Sequence, residues 1–297
     1  MRAIARFAPV VALALPLLLS GCFVISTTRR LPIPKAPNVL QTVTPDVLVA
    51  QINQRWEALE TLNASVEIQA SALKTTEGVA KDYTTFPAII LMRKPESLRV
   101  YARVPVIRIP MFDMASDGKN FTLYIPSKNK AIKGPNVLRK KSANSLENLR
   151  PAFFFEAMMV RGLDPDDFYS VVADTETVED AAKKHLFIVP EYILNITRKK
   201  PDSQQLIPVR VVTFHRSDLL PYEQDIYDSE GNLETHVTYS NYQDFGGGEF
   251  PSLVTIKRPQ EDKQIVMTID KVTQNMTLND DQFVVKVPEG TEIQNLE

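Results

Sequence analysis

The spacing of apolar positions changes several times along the chain, and each change marks an element. Thr44-Pro45-Asp46 supplies a capping hydroxyl, a proline for the first helical position and an acid facing the helix dipole. Leu48, Ile52, Trp56 and Leu59 then recur at spacings of four, four and three, one helical stripe. After Asn63 the period drops to two. Val66, Ile68, Ala70 and Ala72 alternate with Glu67, Gln69 and Ser71, which predicts a half-buried strand. Short strands are expected over 83–93, 97–103, 111–116, 120–125 and 130–133, with Asp117-Gly118-Lys119 as a tight turn. The gaps between them are too short for crossover helices, so the pairing should be antiparallel. A second helical piece covers 144–161, with Asn144 and Glu147 as a capping pair and Pro151 interrupting it. Phe153 to Phe155 and Met158 to Val160 cover nearly every side of that helix, so it must be buried on more than one side. Strand patterns resume over 169–173, 185–189, 191–198, 206–216, 222–227, 233–239, 251–257, 264–273 and 282–287. The expected fold class is α+β and mainly β, one domain over 45–297 with two helices.

Residues 1–21 differ in kind. Arg2 and Arg6 precede an apolar run from Phe7 to Leu19 that Pro9 and Pro16 interrupt, a secretion signal too short for a stable membrane span. The run ends Leu19-Ser20-Gly21-Cys22, which resembles the lipobox of bacterial lipoproteins. The resemblance implies cleavage before Cys22, diacylation of its thiol and acylation of the new amino group. Three chains make a stable anchor where one binds only marginally. Phe23 in place of Asp implies, by similarity to enterobacterial sorting, delivery to the outer membrane with the domain facing the periplasm. Residues 22–44, with Pro32, Pro34 and Pro37, read as the lipidated cysteine and a flexible tether.

Composition narrows the functions. Lys and Arg number 34 against 36 Asp and Glu, a net charge of -2, which argues against a nucleic-acid binder. The single cysteine, Cys22, excludes an intramolecular disulfide and a cysteine-built zinc site. No G-x-S-x-G is present, and His185, His215 and His236 fall on separate strands without carboxylates at metal-ligand spacing along the chain. Asp164, Asp166 and Asp167 lack the ligand ladder of a calcium loop. Gly246-Gly247-Gly248 lacks the strand-to-helix context of a phosphate loop. Neither cofactor nor metal is expected, and the chain reads as a non-enzyme. Between Lys119 and Ser145 stand Lys119, Lys128, Lys130, Lys133, Arg139, Lys140 and Lys141 with no acid. That stretch is either a solvated hairpin end or a surface for anionic headgroups or an acidic partner.

Three local patterns carry a family resemblance: Pro95-Glu-Ser-Leu-Arg-Val100, Asp117-Gly118 followed by Phe121-Thr-Leu-Tyr124, and Asp281-Gln-Phe-Val-Val-Lys-Val-Pro-Glu-Gly290. With the order helix, strands, apolar helix, strands, the chain resembles the LolA/LolB-like carriers and receptors of the Lol pathway. The resemblance implies a strongly curved antiparallel sheet, an incomplete barrel, with helices plugging its concave face. It also implies a cavity for the acyl chains of a lipid or lipoprotein. Ile89, Leu91, Leu98, Val100, Phe121 and Leu123 are the candidate inward strand residues, and the run Phe153 to Met159, with Phe153, Phe154 and Met158 foremost, is the plug. A closed β-sandwich core would use the same residues. In LolB-like receptors an exposed apolar loop hands cargo to the membrane. Val106, Ile107 and Ile109, between Pro105 and Pro110, match its place, and a buried edge segment is the competing reading. The implied protein is a non-enzymatic monomer anchored through Cys22, with lipid or lipoprotein cargo and a periplasmic carrier as partners. The alternative is a non-catalytic envelope scaffold or sensor. The chain is longer than those receptors after residue 162.

Overall fold

Inward-facing apolar rows hold the sheet together. The computed structural model describes residues 31–32, 39–74, 79–136, 151–180 and 182–296. Cys22, the signal segment, residues 144–150 and Arg139 to Lys141 lie outside them. Helix α1 (Pro45–Ala58) starts after Thr44 and buries Leu48, Val49 and Ile52. Strands β1 (Thr61–Lys74), β2 (Val79–Asp82), β3 (Phe86–Arg93), β4 (Ser97–Arg103), β5 (Pro110–Ser116), β6 (Asn120–Ile125) and β7 (Lys130–Pro135) precede the short helix α2 (Ala152–Met158). After it come β8 (Asp167–Glu179), β9 (Leu186–Lys199), β10 (Leu206–His215), β11 (Pro221–Tyr227), β12 (Leu233–Asp244), β13 (Glu249–Arg258), β14 (Lys263–Gln274) and β15 (Glu292–Asn295).

The strand order is β15-β7-β6-β5-β4-β3-β1-β14-β13-β12-β11-β10-β9-β8, with β2 on β1. From β7 to β9 every ladder is antiparallel, whereas β15 joins β7 in parallel. The sheet is curved and open. Register shifts at Ser65/Val66, Ala102/Arg103, Pro208/Arg210, Thr213/Phe214 and Ile226/Tyr227 supply bulges, which bend and twist strands. Among the described residues, 39–176 with 188–296 form one compact unit, and 177–180 with 182–187 belong to a second, smaller one. In the smaller unit Asp180 closes a turn by accepting from the Lys184 and His185 amides.

Alternation sets the buried face. Val100, Ile90, Ala64 and Val272 form one cross-strand row. Ile265, Ile256, Val237, Gln224, Val212 and Leu194 form another, apolar except for Gln224. Inward residues of β1, β3, β4 and β12–β14 share one apolar cluster with Phe153, Phe154, Phe155, Ala157, Met158 and Met159. Leu48, Val49 and Ile52 of α1 pack with Tyr192, Leu194, Ile196, Val212 and Phe214 in a second. Each fully buried side chain of this size contributes about 1.5–3 kcal/mol.

Two expectations are corrected. Residues 282–287 form no strand: a 3-10 turn at Asp280–Phe283, closed by the Asn279–Gln282 capping box, begins a segment outside the ladders. Arginines hold that segment, Arg93 donating to the Leu278 carbonyl at 2.9 Å and Arg99 to the Gln282 carbonyl at 3.0 Å. Their donors replace a ladder, and alternation alone does not distinguish the two. Nor does Pro190 divide two strands, since β9 runs through it. The Pro190 carbonyl accepts from the Arg216 amide at 3.0 Å, just past the end of β10.

Candidate functional site

A seven-residue helix is too short to be stable alone, so α2 depends on its surroundings. Its sequence lets it be buried, and the sheet supplies partners for its end. Gln224 Nε2 donates to the Glu156 carbonyl at 3.0 Å and to Tyr239 Oη at 3.2 Å. Tyr239 Oη donates to the Ala157 carbonyl at 2.9 Å. These carbonyls are among those a helix end leaves without intrahelical partners. Gln224, the polar member of its row, is 1% exposed. Further along, Arg210 donates to the Arg161 carbonyl, and Arg258 lies 5.3 Å from the Phe153 ring centre while paired with Glu234 and Glu261.

Trp56, in the last turn of α1, meets Phe155 edge to face at 6.3 Å. Lys94 Nζ lies 4.8 Å from its ring centre and donates to its carbonyl at 2.8 Å. Two cavities have Trp56 in their walls. The first, about 210 Å³, has Trp56, Leu98, Phe155 and Met159 as apolar walls and Glu96, Ser116, Asn136, Glu156 and Arg161 as polar ones. The second, about 340 Å³, lies among Met158, Met159, Val160, Leu220, Tyr239, Tyr242 and Phe250 beside Gly247 and Gly248. Trp56 and Met159 line both. Glu156 borders the first cavity with its side chain exposed, and desolvation by the surrounding protein raises its carboxyl pKa. Burial likewise raises the phenols of Tyr239 and Tyr242, which keeps them as neutral donors.

The strand and helix residues singled out in the sequence divide between two faces. Leu98, Val100, Phe121, Phe153, Phe154 and Met158 are buried, and Leu123 is partly buried against the main cluster. Leu98 borders the first cavity and Met158 the second. Ile89 and Leu91 lie on the opposite face of β3, because Phe86, Ala88, Ile90 and Met92 take the inward positions. The run Ala88-Ile-Ile-Leu-Met92 is apolar in both parities, so hydrophobicity could not choose its face. Val106, Ile107 and Ile109 are 95%, 63% and 54% exposed. Their loop is tied by the Val104 amide to the Ile109 carbonyl and by the Arg108 amide to the Val104 carbonyl. A third cavity, about 410 Å³, lies beside it among Glu67, Arg103, Arg108 and Asp270. Sequence reasoning missed Asn136, Tyr239 and Tyr242 as wall residues. Trp56 was visible only as part of the α1 stripe.

The sequence also gave no sign of one cluster on the other face. Asp225 and His236 are cross-strand partners on β11 and β12, with His236 Nδ1 2.7 Å from Asp225 Oδ1. Glu223 joins them, so that one ligand-type atom of each lies within 4.8 Å of the others. Lys257 pairs with His236 on the adjacent strand, and its charge opposes a cation there. Among the described residues no helix is long and apolar enough to cross a membrane.

The fold and these helix–sheet cavities define a curved, open antiparallel-sheet protein. A DUF1329 family protein from Desulfovibrio piger has this fold, with a TM-score of 0.51 at 15% identity over 80% of this chain and 95% of that one. A LolA superfamily protein from Nitrosomonas europaea aligns with a TM-score of 0.48 at 14% identity over 82% of this chain and 99% of its own. Residues 109–287, more than half of the chain, match the model of a family described as "-like: Uncharacterized protein", and the chain belongs to that family. No curated protein matches the sequence.

Proposed function

We propose that this is a non-catalytic envelope lipoprotein that takes acyl chains of lipids or lipoproteins between its sheet and helices and helps place lipoproteins in the outer membrane. The observation that carries the reading is the pair of cavities meeting at Trp56 and Met159 against the apolar face of the sheet. Helices α1 and α2 plug the concave face. Flexible Met158 and Met159 suit a wall that must adapt to different chains. Together the two spaces fall in the range of small-molecule sites, roughly 300–1,000 Å³. In this reading the signal 1–21 is removed, acylated Cys22 anchors the chain, 22–44 is a tether and 45–297 binds cargo received from a periplasmic carrier. The exposed loop at Val106, Ile107 and Ile109 is the element that meets the bilayer during hand-over.

The test is mass spectrometry of lipids that co-purify with the full chain carrying Cys22→Ala. Acyl chains recovered in stoichiometric amount support the carrier. An empty cavity favours a scaffold that uses the sheet only for protein contacts.

A further inference from the structure

The polar wall of the first cavity is weighted toward acceptors. Asn136 is 8% exposed. Its Nδ2 donates to Ser116 Oγ at 2.6 Å, and its amide donates to the Lys119 carbonyl at 2.8 Å. Its Oδ1 is buried with no hydrogen-bond partner, which costs about 1–3 kcal/mol unless something donates to it. The Glu156 carboxyl lines the same space with no side-chain hydrogen bond among the described residues, and Glu96 adds a second carboxyl. Arg161, the cation on this wall, is paired with Asp164 at 3.3 Å. Facing these groups are Trp56, Leu98, Phe155 and Met159.

We infer that this cavity selects a chain that ends in a primary ammonium group. The chain lies against Trp56, Phe155 and Met159 while the head donates to Asn136 Oδ1 and pairs with Glu156. This rests on the acyl-binding reading and deepens it by naming the head. A carboxylate or phosphate head would find Arg161 already paired with Asp164, would meet two carboxyls, and would leave the Asn136 oxygen unsatisfied.

Trp56 is the sole tryptophan of the chain, so its emission reports on the wall that the two cavities share, and the Asn136 and Glu156 variants assign the response to the first. The full chain carrying Cys22→Ala is titrated with dodecylamine, dodecyltrimethylammonium and dodecanoate, each below its micelle concentration. Dodecylamine should bind about tenfold more tightly than either, the size of one charge-assisted hydrogen bond. Glu156→Gln should cut that preference to about threefold or less with the unfolding temperature held, and Asn136→Ala should do the same. Equal binding of the three, tighter binding of dodecanoate, or an undiminished preference in Glu156→Gln overturns the ammonium head but leaves chain binding standing. No response of Trp56 to any of the three overturns both.

Discussion

Single side chains set two opposing pH dependences. His236 Nδ1–H donates to the Asp225 carboxylate, which raises its pKa above the ordinary value of about 6.5. The stability this contributes is fully present below about pH 6.5 and is lost as pH rises through the raised value. Asp225, Glu223 and Lys257 are the charges around it. His215 stacks on Tyr222 at 4.1 Å, and burial lowers its pKa, so its contribution is present above about pH 6.5 and is lost as pH falls. Melting temperatures measured across pH 5 to 9 should therefore peak near neutrality. Asp225→Asn should flatten the alkaline side and His215→Phe the acid side.

Another residue-scale effect sits in the exposed loop. Val106 has φ 66°, which for a β-branched side chain costs about 1–3 kcal/mol. Val106→Asn, which tolerates that conformation, should raise stability by about 1 kcal/mol in denaturant titration. Ile107→Glu removes apolar surface from a residue that is 63% exposed. It should leave stability within about 0.5 kcal/mol while impairing lipoprotein transfer to vesicles. Unchanged transfer would remove the loop from the mechanism.

At the scale of elements, α2 is held by its contacts with the sheet rather than by its own length. Tyr239→Phe leaves the Ala157 carbonyl without its donor and should cost about 1–3 kcal/mol, measured by urea unfolding. Gln224→Leu removes both bonds made by its amide and should cost at least as much. The strand series was legible because one-sided burial imposes a period of two on β1, β4 and β12, and Asp117-Gly118 marked its hairpin. The helix start was legible from Pro45 and Asp46, although the Thr44 hydroxyl expected as its cap makes no capping hydrogen bond. What sequence could not show depends on register. The Asp225–His236 pair exists only once β11 and β12 are aligned, and Gln224 reads as an ordinary polar strand residue until a helix end is placed over it. Asn275 was also unreadable. At φ 54° its Oδ1 accepts from the Glu60 and Thr61 amides, and its Nδ2 donates to the Ala58 carbonyl, fixing the α1–β1 corner across more than 200 residues of sequence.

At the scale of the molecule, core and cavity compete for the same apolar surface. The sheet closes much of it against α1 and α2, and the remainder is space that a ligand would fill. A bound chain at a hundred times its dissociation constant should add about 2.7 kcal/mol of stability, read as a rise in melting temperature. Phe153 to Met159 were expected as the plug, and of these Met159 lines both spaces, together with Trp56. Trp56, which was not expected there, comes from the last turn of α1, where a periodic pattern is ending and carries little information.

The parallel strand β15 has a consequence for solubility. Without it, β7 would present a row of unpaired amides and carbonyls around Ala131 and Ile132, an edge on which a second chain could build. β15 occupies that edge with four residues, three of them polar, and Leu296 packs so closely on Gly134 that a Cβ there would lie 2.9 Å from its own. Ile293→Pro would unseat this guard without touching either cavity. Light scattering should then show concentration-dependent self-association at temperatures where the parent chain stays dispersed.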